Sequence, residues 1–381
     1  MAARAARLRE QGHRVFAFGV GEPDFATPGS IRDAAKKALE GGGVSHYTAV
    51  TGTAALKKAI CAAVSRDRGW QPSVDQVVVS CGAKHALFNL ALALYEPGDE
   101  VVIPAPYWVS YPEQVRLAGA TPVIVPTREE DNWLLSEDAL GKALTPRTKA
   151  IILCTPSNPT GAAYPRERLQ ALARVLSSTD AYVIVDEIYA ELVYDDFQHH
   201  SLAVVAPELG DRLVVVDGVS KTYAMTGWRI GWSISPPALA KALDVIQGQS
   251  TTNPTAISQE AAVQALTGPR DEAARMRAAF AERRTRMVQG LRSVPGVRCR
   301  MPDGAFYAFA DVRGLYGLRA GEKTLATDED VASWLLDSAH VAAVPGTPFG
   351  APGYLRFSYA SSIETIDEGI AAIRQAVDRA R

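Results

Sequence analysis

The sequence predicts an α/β protein built on a mainly parallel sheet, and three observations lead there. Short β-branched runs recur along the 381 residues: Val77–Val79, Val101–Ile103, Val123–Val125, Ile151–Leu153, Val183–Val185 and Leu213–Val216. Helix-like patterns lie between several of them, the alternation that generates parallel strands joined by helical crossovers. The runs are also nearly continuously apolar, as strands covered on both faces are.

The elements follow in chain order. Ser30 is expected to cap a helix whose Ile31, Ala34, Ala35, Ala38 and Leu39 form one apolar stripe, with Asp33 supporting the cap and Gly41-Gly42-Gly43 ending it. Pro165 suits the first position of a helix carrying Leu169, Leu172 and Leu176. Other helices are expected to start near Gly82, Pro236 and Pro254. Beyond Gly268 the character changes. Asp271–Arg292 reads as a long charged helix, Gly304–Phe309 as a strand and Asp328–Ser338 as a helix. A final helix presents Ile366, Ile370, Ile373 and Val377 on one face. The expected division is a large domain over residues 30–270 and a smaller α+β domain formed by 271–381 with the N-terminal segment 1–29.

Composition narrows the function classes. A chain that is 47% hydrophobic at this length can bury a large core without metals or disulfides. Lys plus Arg number 40 and Asp plus Glu 42, a balance that argues against a nucleic-acid partner. The four cysteines, Cys61, Cys81, Cys154 and Cys299, show no zinc-like spacing and read as free thiols of a reducing compartment, with no metal site. No apolar run approaches the ~20 residues of a membrane span. The N-terminus lacks the apolar core of a signal peptide, so a cytoplasmic protein is expected.

Ligands of open parallel sheets gather beyond the carboxyl ends of the strands, so polar residues just after the runs are informative. Asn158 follows Ile151–Leu153, Asp186 and Tyr189 follow Val183–Val185, and Ser220 and Lys221 follow Leu213–Val216, with Arg229 a little further on. Gly82, Ala83 and Lys84 follow Val77–Val79. Taken singly, these are turn formers, caps and solvated side chains. Together they place a carboxylate, an amide, a phenol, an amine and a guanidinium along one sheet edge. A dinucleotide-binding dehydrogenase is disfavoured, because Gly19-Val20-Gly21 lacks the third glycine of GxGxxG and no Walker A sequence occurs.

The motifs SNPTG at 157–161, DEIY at 186–189 and SKTYAMTGWRIG at 220–231 resemble those of the class I aminotransferases that use pyridoxal phosphate. GEPDF at 21–25 and APYWVSYPE at 105–113 are similar to those of the branch holding many bacterial aspartate aminotransferases. The resemblance spans Val15 to the final helix. It implies the fold type I of pyridoxal-phosphate enzymes: a large, mostly parallel seven-stranded sheet domain, a smaller α+β domain and a homodimer.

It also implies roles. Lys221 would hold the cofactor aldehyde and move the substrate proton. Asp186 would keep the cofactor ring nitrogen protonated. Asn158 and Tyr189 would donate to the ring oxygen, and Trp108 would cover the ring face. Gly82, Ala83, Lys84, Ser220 and Arg229 would cradle the phosphate, joined by Tyr47 from the neighbouring subunit. Arg356 would bind the substrate α-carboxylate, with the Gly21 backbone beside it. Phe306 and Tyr307 would wall the pocket. The implied reaction is transamination between an L-amino acid, aspartate as the best match, and a 2-oxo acid such as 2-oxoglutarate. Lys84 is also a candidate for a distal substrate carboxylate. Aromatic amino acids or prephenate are the alternative substrates, and a lyase or decarboxylase reaction is the alternative chemistry. His199-His200, after an acidic loop, are expected at the surface, and no role is expected for His85, Cys81 or Cys154.

Overall fold

The computed structural model describes residues 2–321 and 323–380. Its centre is a seven-stranded sheet. The six expected runs become β1 (Val77–Ser80), β2 (Glu100–Ala105), β3 (Thr121–Pro126), β4 (Thr148–Cys154), β5 (Tyr182–Asp186) and β6 (Leu213–Gly218). The seventh strand, β7 (Gly231–Ile234), was implied only by the family resemblance. It is short, and its first residue closes the motif that carries Arg229, so no β-branched run marks it. The spatial order is β1-β7-β6-β5-β4-β2-β3. β7 pairs antiparallel with both β1 and β6, whereas the pairs from β6 through to β3 are parallel. The amino end of β7 therefore lies at the same edge as the carboxyl ends of the other strands.

Helices cover both faces, and alternation along the strands decides which side chain meets which helix. On β4, Ile151 and Leu153 pack with the Leu169, Leu172 and Leu176 stripe of helix Arg166–Leu176. Ile152 packs on the opposite face with Leu87 and Leu90 of helix Ala83–Leu94 and Leu243 of helix Pro237–Gly248. Each such buried Leu or Ile contributes about 1.5–3 kcal/mol over its exposed state. At the β1 and β7 end, helices Gly29–Glu40, Ala54–Arg68 and Ala256–Thr267 join Val77, Val79 and Trp232 in one cluster.

The C-terminal part forms a four-stranded antiparallel sheet, in the order Val344–Pro345, Tyr354–Ser358, Tyr307–Asp311, Arg298–Cys299. Helices Asp271–Arg292, Asp328–Ala339 and Ile363–Ala380 pack around it. The charged appearance of Asp271–Arg292 hides a buried face of Met276, Phe280, Met287, Val288 and Leu291. Ile366, Ile370, Ile373 and Val377 of the last helix enter the same cluster. Phe18 joins it from the N-terminal segment, where Phe16–Ala17 pairs parallel with Val341–Ala342.

Several local expectations change. The first sheet-covering helix begins at Gly29 with Pro28 as its cap, and the Pro28 carbonyl accepts from the Ile31 and Arg32 amides. Ser30 is thus already inside the first turn and caps nothing, and Asp33 pairs with Lys36 at 2.9 Å. Leu39 is 55% exposed, off the buried stripe. Pro165 caps its helix from outside the first turn. The strand expected at Gly304–Phe309 begins only at Tyr307, because Ala305 takes a left-handed backbone with φ 58°.

Gly369 is where the last helix meets the N-terminal segment. A Cβ there would lie 2.5 Å from Cε2 of the fully buried Phe18 ring. Gly369→Ala is expected to destabilise the protein by about 1–3 kcal/mol through overpacking, despite alanine's better helix propensity. Urea unfolding measures this, and an unchanged or raised midpoint would refute it.

Candidate active site

A cavity of about 490 Å³ opens at the shared strand edge. β5 ends in Asp186 and β4 in Cys154, which leads to Asn158. β6 leads to Ser220 and Lys221, β2 to Trp108, and β1 through Gly82 to Ala83 and Lys84. Arg229 reaches the same edge because β7, which it precedes, runs the other way. Gly21 arrives from the N-terminal segment and Arg356 from strand Tyr354–Ser358. Tyr189 also lines the cavity. Of the residues singled out in the sequence, Gly82 lies directly beneath the Arg229 guanidinium, and Tyr47 lies apart, 87% exposed.

Asp186 is buried, and its hydrogen-bond partners among the described residues are neutral: the Tyr111 hydroxyl at 2.7 Å and the Ile188 amide at 3.2 Å. Burial pushes its carboxyl up to about 6, and the Tyr111 donor opposes the rise. Lys221 responds to the same burial in the opposite sense and is brought down to about 8; nearby Glu22 resists, while Arg229 and Arg356 add to the fall. Its Nζ donates to the Gly21 carbonyl at 2.7 Å. The Tyr189 and Tyr307 hydroxyls meet at 2.8 Å, and burial raises both phenols.

Arg356 is buried, with Nη1 donating to Asn158 Oδ1 at 2.9 Å and Nη2 to the Gly19 carbonyl at 2.8 Å. Its guanidinium lies 4.5 Å from the Tyr307 ring centre. Nε is buried with no partner among the described residues. A desolvated arginine held only by neutral oxygens suits an incoming carboxylate.

Helix Ala83–Leu94 points its N-terminus at the cavity, where its free amides and dipole favour an anion. Gly82, with φ 90°, adopts a conformation that L side chains rarely take, and a Cβ there would collide with Arg229. Arg229 itself has a left-handed backbone, φ 56°, and donates to the Thr226 carbonyl at 2.8 Å and the Cys81 carbonyl at 3.1 Å. Lys84 rests its ammonium 4.8 Å from the Trp108 ring centre and has no carboxylate partner among the described residues.

Sequence reasoning missed Tyr111, Glu22 and Thr226. Tyr111 follows Trp108 by three residues in the APYWVSYPE motif, so a phenol one helical turn from a site residue was the available signal. Glu22 Oε2 accepts from Thr226 Oγ1 at 2.9 Å, and both line the cavity. Phe306 is buried behind Tyr189, with ring centres 5.6 Å apart, while Tyr307 reaches the cavity wall. The surface placement expected for His199 is wrong. Its side chain is only 5% exposed and lies 3.5 Å from Glu187, in a buried cluster with Arg68 and Asp217. Asp195 and Asp196 of the acidic loop before it stay exposed, and it is Glu187, from the segment after β5, that draws the imidazole inward, a partner the local sequence does not reveal. Among the described residues no helix is long and apolar enough to cross a membrane.

The family model "Aminotransferase class I and II" matches residues 13–373. An aspartate aminotransferase of Streptomyces avermitilis is 43% identical over 379 residues, 100% of this chain and 93% of the relative. An aspartate/prephenate aminotransferase of Cereibacter sphaeroides is 45% identical over 373 residues, covering 97% and 93%. The crystal structure of the Rhizobium meliloti aspartate aminotransferase superposes with a TM-score of 0.96 at 42% identity, covering 100% of this chain and 95% of that one. The Thermus thermophilus aspartate aminotransferase with maleate gives 0.91 at 39% identity, covering 98% and 95%. The chain belongs to the class I and II aminotransferase family and is a pyridoxal-phosphate-dependent transaminase of fold type I.

The residues present fit that cofactor. Asp186, buried among neutral partners, offers a site for a protonated ring nitrogen. A Cβ on Gly82 would displace the Arg229 guanidinium from the helix start, and that cation, the helix N-terminus and Ser220 together suit a phosphate. Lys221 supplies an amine brought down to about 8 by burial, so it loses its proton well below the ordinary lysine range. Attachment of pyridoxal phosphate to the apoprotein is therefore expected to accelerate as pH rises through about 8, because only the unprotonated amine attacks an aldehyde. Stopped-flow absorbance across pH 6–10 reads this, and a rate still climbing steeply near the ordinary lysine value would refute it.

Proposed function

We propose that the chain transfers the amino group of aspartate to 2-oxoglutarate by two successive half-reactions. One observation carries the choice of an acidic donor. Besides Lys221, the cavity is lined by Arg229, Arg356 and Lys84, none of which has a carboxylate partner among the described residues. A cofactor phosphate and a dicarboxylic amino acid together bring three anionic groups. Arg229, with Ser220 and the first turn at Gly82-Ala83, takes the phosphate. Arg356 takes the α-carboxylate, with Asn158 and the Gly21 backbone beside it, and Lys84 takes the distal carboxylate. The Thermus thermophilus relative solved with maleate, itself a dicarboxylate, supports the same reading.

When bound, pyridoxal phosphate supplies an aldehyde that links to amines and a ring that withdraws electrons from the substrate α carbon. The chain does the rest. Lys221 would hold the aldehyde, and its amine is placed to move the proton at the substrate α carbon. Asp186, steadied by the Tyr111 hydroxyl, would keep the ring nitrogen protonated. Tyr189 and Asn158 would donate to the ring oxygen, and Trp108 would cover the ring face. Arg356 fixes the substrate so that the α proton points at Lys221.

Residues 30–270 act as the cofactor-binding domain, and 271–381 with 1–29 as the smaller domain that brings Arg356 to the site. The family is generally dimeric, and Tyr47, exposed on a loop of its own, reaches the phosphate of the neighbouring subunit. The free cysteines fit a cytoplasmic location. A second reading is favoured by Val20, Val109, Val344 and Phe349, which give the same cavity an apolar wall suited to an aromatic donor or prephenate. The Cereibacter sphaeroides relative bears both substrates in its name.

Lys221→Ala should abolish transamination and the absorbance of the lysine-bound cofactor. Lys84→Met should lower kcat/KM for aspartate by about 10–100-fold, the cost of losing one charge-assisted contact, and change that for phenylalanine by less than about threefold. A panel of amino donors with 2-oxoglutarate measures both. Equal losses for aspartate and phenylalanine would remove Lys84 from the distal site, and aspartate ranking far below aromatic donors would favour the second reading.

A further inference from the structure

Gln247 lies on helix Pro237–Gly248 and is fully buried. Its Nε2 donates to two main-chain carbonyls, Val50 at 2.6 Å and Val79 at 2.8 Å. Its Oε1 accepts from Ser80 Oγ at 2.6 Å and Asn89 Nδ2 at 3.1 Å. An amide has two donor hydrogens and one oxygen with two lone pairs, so this side chain is saturated. A saturated amide in a dry place is rigid, because any displacement leaves several polar groups unsatisfied at once.

The partners belong to two segments with different destinations. Val79 and Ser80 end β1 and run directly into Gly82 and the phosphate cradle, and Asn89 lies on the helix that the cradle opens. Val50 belongs to the loop that displays Tyr47. That loop rides on the same strand end, with the Val79 amide donating to the Thr51 carbonyl at 3.0 Å. A Cβ on Gly52 would sit 2.7 Å from Val79 Cγ2. A second buried amide, Gln259, holds the loop from its other side, accepting from the Thr53 amide at 2.7 Å and donating to Thr48 Oγ1 at 3.0 Å. The tip with Tyr47 is thus free while its base is fixed to the cradle. Gln247 bonds to both with its side chain.

We propose that Gln247 is a positioning residue that locks the Tyr47 loop to the phosphate cradle of its own chain, and so couples the cofactor site of one subunit to that of its partner. The inference rests on the reading above that Tyr47 serves the neighbouring site. Any shift of β1's end is transmitted to the Tyr47 base through Gln247, which is bonded to both. Cofactor binding on one chain therefore sets the geometry that its partner's cofactor meets.

Hybrid dimers separate this role from a merely structural one. One chain carries Lys221→Ala together with Gln247→Met, and the other is wild type, the two bearing different tags for purification as an assembled pair. The wild-type chain alone can fix pyridoxal phosphate covalently on borohydride reduction. Its cradle is intact, but its Tyr47 comes from the altered chain. Titration of the apo hybrid, read by mass spectrometry of the reduced Lys221 peptide, gives the half-saturating concentration of that single site. Relative to a Lys221→Ala hybrid without the second change, it should rise about tenfold, the effect expected of one lost buried anchor. The control hybrid carries Lys221→Ala with Tyr47→Phe. Weakened binding with Tyr47→Phe but not with Gln247→Met would overturn the proposal and leave the Tyr47 reading standing. No weakening with either would overturn both. Should the Gln247→Met chain fail to assemble, Gln247→Asn, which keeps the amide and shortens its reach, is read in the same hybrid with the same outcomes.

Discussion

The functional edge depends on how closely β7 approaches the first turn of helix Ala83–Leu94. Gly231 makes that approach: it pairs with Ser80 on one side and Gly218 on the other, and a Cβ there would collide with the Ala83 backbone. With β7 wedged between the ends of β1 and β6, the helix amides, Ser220, Lys221 and Arg229 converge. The reversed direction of β7 matters as much as its position. A parallel strand there would carry the residues before Gly231 to the far edge, and Arg229 with them. Gly82 completes the arrangement by leaving room for the guanidinium against the helix start.

Enclosure then sets the electrostatics. The same loss of water raises the Asp186 carboxyl and lowers the Lys221 ammonium, drawing an acid and a base toward neutrality in one cavity. Among the described residues neither is anchored by an ion pair of its own. Asp186 leans on the Tyr111 hydroxyl and a backbone amide, and Lys221 on a backbone carbonyl. Such groups gain most from a ligand that brings the complementary charge, since the desolvation cost has already been met by folding. The buried cluster of Arg68, Glu187 and Asp217 handles charge differently, by pairing acids and base internally.

Much of this was legible in the sequence because parallel strands announce themselves twice, by apolar runs and by the polar residues that follow. Asn158, Asp186, Ser220 and Lys221 sit where strand ends had to place them, and they line one cavity. What escaped had weaker local signals. β7 begins inside a motif and has no run of branched residues. Ser30 was expected to cap because of its type, but the preceding proline had already set the helix start. Tyr111 looks like an ordinary amphipathic-helix residue, and only the tertiary fold turns its hydroxyl to Asp186. His199 belongs to a polar loop that local sequence assigns to solvent, yet the fold closes over it. Saturated amides such as Gln247 leave no trace in periodicity, since their partners come from segments far apart in sequence.

One short stretch of main chain has a broader consequence. The Gly19 carbonyl holds Arg356 and the Gly21 carbonyl holds Lys221. Both cations are aimed by oxygens that every residue type possesses, so their aim is encoded in the path of the chain and not in side-chain identity. At Gly21 substitution is limited by space, as the 3.1 Å gap between a Cβ there and the Tyr307 hydroxyl shows, and not by the chemistry of the bond. Carbonyls are also undemanding partners. An arriving carboxylate displaces a neutral dipole rather than a rival anion, which lets the site be rigidly arranged beforehand and still yield quickly to its ligand.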